Sequence, residues 1–139
     1  MAFALRKQGF DLQPTGKASK RIEMPKYLDF IRQLPCIVTG RRPVESAHIS
    51  YAEPRLGKLG RGKGSKETDL WTVPLCPEEH QIQHRMEERA YWQQRGIDPC
   101  VVALALYAHF PDTERAEFII RNIERRVPTW RAGQNREGD

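Results

Sequence analysis

No apolar stretch in this sequence approaches the roughly 20 residues that a helix needs to cross a bilayer. The longest, CVVALALYAHF at 100–110, is about half that length and carries a histidine. A membrane partner is therefore not expected. The N-terminal MAFALRKQGFD also lacks the apolar core and cleavage-type site of a signal peptide, so the expected setting is cytoplasmic. Cysteine is scarce: three residues, an odd number and widely spaced, which argues against a disulfide framework. G-x-x-x-x-G-K-[ST] is nowhere satisfied, which removes a Walker-type nucleotide loop. Neither a nucleophile elbow nor a catalytic-cysteine signature occurs, and Glu87, Glu88 and Glu114 have no counterpart that would make a glycosidase-type acid pair.

Positive charge, by contrast, is plentiful and unevenly placed. The formal net charge is +5, and RLGKLGRGKGSK at 55–66 holds five basic residues, four glycines and no acid. Such a run is usually a solvated loop. Its alternative is a phosphate-contacting loop, in which glycines permit close backbone approach and the cations displace counterions from a polyanion. The first 24 residues are also basic and aperiodic and read as a flexible arm; 128–139 reads as a flexible tail. Between them, 25–127 is long enough for a single domain with one modest core.

Within that domain, PKYLDFIRQL at 25–34 spaces its apolar residues as a short helix behind a first-turn proline. CIVTGRRPVESAHIS at 36–50 places β-prone runs on either side of a turn signal, and LWTVPL at 70–75 is a further β-prone run. Pro77 opens a helix expected to continue to the stop at Gly96. Two more helices follow: one capped by Asp98, and an amphipathic one over 112–127. Trp71, Trp92 and Cys100 read as core, and His109 as a surface or cap residue. The fold class is α+β.

Only four histidines occur, yet His80 and His84 share a helix at a spacing of one turn, about 5–6 Å apart at Cβ. A chance pairing on an exposed face is the bland reading; two imidazoles able to share a divalent cation is the sharper one. His48 lies upstream on a β-prone run, with the glycine-basic loop between, and Arg85 follows His84.

CIVTGRRP, AHIS, GKGSKETDLWTVPLC and EEHQIQHR, in this order and spacing, resemble an HNH endonuclease of the His-Me finger superfamily. The likeness is to the phage-associated branch that includes a RecA-dependent recombination-enhancement nuclease. It covers about a third of the chain directly, from Cys36 to about Arg85. It implies a ββα-metal core over about 36–95 with further helices at 98–127, and a metal-dependent hydrolysis of DNA phosphodiesters. His48 would be the general base. His80 and His84 would hold one divalent ion, Mg²⁺, Mn²⁺ or Zn²⁺. Asp69, near the position of the usual base-orienting Asn, would hold the other nitrogen of His48. Arg55, Lys58, Arg61, Lys63, Lys66 and Arg85 would contact the DNA backbone. Recombination or phage-replication proteins are the partners this likeness suggests.

Two departures stand out. Ala47 occupies the place where many relatives have a metal-binding His or Asp, leaving Glu45, Glu53, a water or His48 itself to complete the shell. The two C-x-x-C pairs that hold a structural zinc in relatives are each half lost, reading Cys36–Thr39 and Cys76–Glu79. Two thiolates make a poor tetrahedral cage, so Cys36 and Cys76 are expected as buried thiols from a residual zinc site, without zinc. Two other classes stay open: a DNA-binding protein on the same scaffold whose chemistry has lapsed, and a structural zinc-binding module for protein partners.

Overall fold

The computed structural model describes residues 22–59 and 68–123. It is a mixed α+β structure in which a two-stranded antiparallel ribbon is surrounded, among the described residues, by five α-helices. The basic arm up to residue 21, the tail, and Arg61, Lys63 and Lys66 lie outside the described residues. None of the described helices is long and apolar enough to cross a membrane.

Helix α1 (Pro25–Arg32) starts at a proline whose fixed φ suits the first turn, and it buries Tyr27, Phe30 and Ile31. Strand β1 (Glu45–His48) pairs with β2 (Thr72–Leu75) in the register Glu45↔Leu75 to His48↔Thr72. This pairing revises the sequence expectation. Residues 36–40 do not form a strand but close a turn, with the Gly40 amide donating to the Cys36 carbonyl at 2.9 Å and Gly40 at φ 78°. At that φ an L side chain crowds its own backbone, so glycine is favoured there. The ribbon therefore joins segments on either side of the glycine-basic loop. All four residues of β2 are buried, so this short strand serves as the centre of the core.

The expected long helix from Pro77 to Gly96 is in fact two. Helix α2 (Pro77–Arg85) ends where Met86 becomes extended, and α3 (Glu88–Arg95) begins anew. The break has a local cause: the Glu87 carboxylate accepts the Ala90 amide at 2.9 Å and the Arg89 amide at 3.3 Å, which caps a fresh N-terminus. Glu79 fixes the angle between the two helices, accepting from the Tyr91 hydroxyl at 2.5 Å and from Arg95 Nη2 at 2.8 Å. Helix α4 (Pro99–Ala108) is capped by Asp98 and ends at His109, and α5 (Thr113–Arg121) is capped by Asp112.

The aromatic rings of Tyr27, Phe30, Tyr107 and Phe110 pack edge-on or tilted at centroid separations of 5.1–5.7 Å. They tie α1 to the end of α4, while Trp71, Trp92 and Cys100 are buried, as expected. The helices thus brace one tiny sheet, and the candidate residues sit along its rim.

Candidate functional site

Side chains alternate across a strand, so Glu45 and Ala47 leave β1 on one face and Ser46 and His48 on the other. His48, at the end of β1, keeps part of its ring exposed. Its Nε2 lies 2.8 Å from Oδ1 of Asp69, whose side chain is almost wholly buried. With the carboxylate accepting there, Nε2 carries the hydrogen and Nδ1 is left with its lone pair. Asp69 is itself anchored. Its Oδ2 accepts the Met24 amide at 2.7 Å, and its own amide donates to the Ile22 carbonyl at 3.2 Å. Residues 22–24, assigned from sequence to the flexible arm, are thereby strapped to the segment that carries Asp69.

On the opposite pleat the Glu45 carboxylate lies 2.7 Å from Nδ1 of His80, in the first turns of α2. The imidazole of His84 stacks beside His80 with centroids 4.6 Å apart and planes inclined at 37°. The i, i+4 spacing therefore does bring the two rings onto one face. A carboxylate on Nδ1 fixes the tautomer of His80 and leaves Nε2 as a free electron-pair donor, the arrangement metal-ligating histidines commonly have. Among the described residues, no group of three or more His, Cys, Asp or Glu side chains is arranged to hold a metal ion. The donor set fits a cation that retains several oxygen ligands of its own better than a closed cage.

The three histidines thus fall into two clusters, and none of the hydrogen bonds or ion pairs among the described residues joins them. Ala47 is buried in the core and supplies nothing. Glu45, two residues earlier on the same pleat, is the residue that reaches the helix. Glu53, the other acid weighed for that gap, pairs with Arg55 at 2.9 Å.

The cationic residues divide sharply. Arg55 and Arg85 are exposed, as a backbone-contacting role requires. Lys58 is not: it is completely buried, its Nζ donates to the Tyr51 carbonyl, and it sits 5.9 Å from the ring centroids of both Tyr51 and Trp71. The turn Pro54–Leu56, closed by Gly57 at φ 78°, folds Lys58 back so that Glu53 and Lys58 bridge one another. Counting Lys58 with the exposed cations of the loop is therefore corrected.

Cys36 and Cys76 are both buried free thiols, as expected. The amides of Val38 and Thr39 each donate to Cys36 Sγ at 3.4 Å, and the Thr39 hydroxyl lies 3.6 Å from Cys76 Sγ. Burial works to raise the Cys36 pKa, but the Thr39 hydroxyl and the amides of Cys76, Thr39 and Val38 outweigh it, and the net shift is downward. Burial raises that of Cys76. Glu79, at the second lost cysteine position, turns instead to Tyr91 and Arg95.

A family model described as a protein of unknown function, DUF968, matches residues 13–109. The chain belongs to that family. No curated protein matches, and no solved structure matches. The DUF968 region contains every candidate residue described above, from Cys36 to Arg85, and stops at the end of α4. One partner within it has no signal in the sequence: the Met24 amide behind Asp69, 45 positions away. Thr39, marked in the sequence only as a lost cysteine position, contacts both thiols.

Proposed function

We propose that this chain is a metal-dependent endonuclease that hydrolyses DNA phosphodiesters. The observation that carries the reading is the 2.8 Å contact between His48 and buried Asp69. It pairs the residues assigned from sequence as general base and its orienter. A side chain clamped on one nitrogen and partly exposed presents its other nitrogen in a fixed direction, which is what proton abstraction from a bound water requires.

His48 Nδ1 would take the proton as the water oxygen attacks phosphorus. Asp69, already accepting from Nε2–H, stabilises the imidazolium that forms. On the other pleat, Glu45 holds the His80 ring so that His80 and His84 offer nitrogen donors side by side. A divalent cation there would supply charge stabilisation for the phosphate and its leaving oxygen. Arg85, exposed beside His84, and Arg55 suit contacts to the flanking backbone phosphates. A ββα-metal core of the HNH kind accommodates this order of strand, strand and histidine-bearing helix.

The test is incubation of plasmid DNA with Mg²⁺ or Mn²⁺. Wild type should nick or linearise it, and His48→Ala should not; equal cleavage by the two proteins discards the mechanism. A second reading, DNA binding with lapsed chemistry, is favoured by Ala47, which is buried where a ligand is expected. Intact DNA beside tight, salt-sensitive binding by the wild type would select it.

A further inference from the structure

We propose that Cys36 and Cys76 are a reversible oxidation site, closing to a disulfide at the root of helix α2 when exposed to hydrogen peroxide. This inference does not depend on nuclease activity. Two observations bring the cysteines together. Thr39 contacts both residues, through its amide to Cys36 Sγ and its hydroxyl to Cys76 Sγ. The Ile37 amide donates to the Pro74 carbonyl at 3.0 Å, which holds the two backbones side by side next to the cysteines. Cysteines on adjacent backbones whose sulfurs contact one and the same residue need little movement to bond.

The pair is also chemically asymmetric. Cys36 sits in a cradle of amide donors that favours its thiolate, the nucleophilic form, whereas Cys76 lacks that net stabilisation. The Cys36 thiolate attacks one peroxide oxygen, breaking the O–O bond and giving a sulfenic acid and hydroxide. Cys76 then attacks the Cys36 sulfur; the S–O bond breaks and hydroxide leaves, taking up the proton released by the Cys76 thiol. Two thiols are oxidised to one disulfide, and one peroxide is reduced to two waters. Both residues are almost fully buried, so a small oxidant is the fitting co-reactant. Cys100 provides an internal control: it lies in the apolar helix α4, and burial pushes its thiol up to about 11.

Closure would bear on the helix that carries both histidines. Cys76 is the N-cap residue of α2, and its carbonyl accepts the His80 amide at 2.9 Å. The test treats the reduced full-length chain with hydrogen peroxide, alkylates the remaining thiols and measures intact and peptide masses. The expected result is a loss of about 2 Da, for two hydrogens, with one peptide link between Cys36 and Cys76 and Cys100 alkylated. A dithiol reductant should restore the starting mass. In Cys76→Ser, which lacks the resolving thiol, a sulfenic-acid probe should label Cys36. A link through Cys100, oxygen addition to Cys36 without a link in the wild type, or no oxidation at all would each overturn the proposal.

Discussion

The two histidine clusters of this small fold are built to opposite standards. The His48 side is tethered: its partner carboxylate is buried and held in turn by a backbone amide from before α1, 45 residues away. The His80–His84 side is loose by comparison. Its partner Glu45 is about half exposed, and both rings lie on one short helix with no deeper anchor. A proton-transfer group loses rate when its direction wanders, so rigid support is useful there. A cation-binding pair can adjust around its ion and its waters, so local spacing suffices. The contrast assigns different sensitivities to mutation.

The sharpest way to break that contrast is His48→Ala. Removal of the base should lower DNA cleavage by about 10²–10⁴-fold, measured as initial nicking rate, with folding preserved by circular dichroism. Asp69→Ala should follow, with cleavage down roughly 10–100-fold from loss of orientation. It should also reduce stability by about 1–3 kcal/mol in denaturant unfolding, because the Met24 amide loses its acceptor. Asp69→Asn keeps one acceptor oxygen, enough for the Met24 amide, and should preserve most of that stability while its amide nitrogen faces His48 Nε2. Equal stability losses for the Ala and Asn variants would refute the tether.

On the looser side, Glu45→Gln should raise the Mn²⁺ concentration for half-maximal cleavage by about tenfold. It should scarcely change the unfolding midpoint, since its carboxylate is about half exposed and the amide still reaches His80 Nδ1. Removal of the cation with a chelator should stop cleavage without unfolding the chain, because the core around β2 is held by packed apolar side chains. The smallest effect on DNA is expected at Lys58. Lys58→Ala should leave the salt dependence of DNA binding unchanged while costing about 1–3 kcal/mol of stability, because it strands the Tyr51 carbonyl. Arg85→Ala should instead reduce the salt slope by about one.

Local features were legible in the sequence wherever short-range chemistry decides them. Pro25, Pro77 and Asp98 mark true helix starts, and the spacing of His80 and His84 gives the stacked pair. The helix break at Met86 was hidden because Glu87 reads equally well as a mid-helix residue or as a cap. The strand expected near Cys36 misled for a related reason: β-prone residues are also core residues, and Ile37 is fully buried in a turn.

By itself, then, the sequence determined the α+β class, the helix punctuation, the i, i+4 histidine face and the burial of the three cysteines, Trp71 and Trp92. These follow from propensity, periodicity and hydrophobicity, which act over a few residues. Tertiary structure alone decided that β1 pairs across the glycine-basic loop, that the Met24 amide anchors Asp69, and that Lys58 turns inward. It also decided that Glu45 reaches His80 and that Thr39 bridges two thiols. Each of those outcomes depends on which distant segments share a packed core, where a buried polar atom must find its partner wherever the fold has placed one.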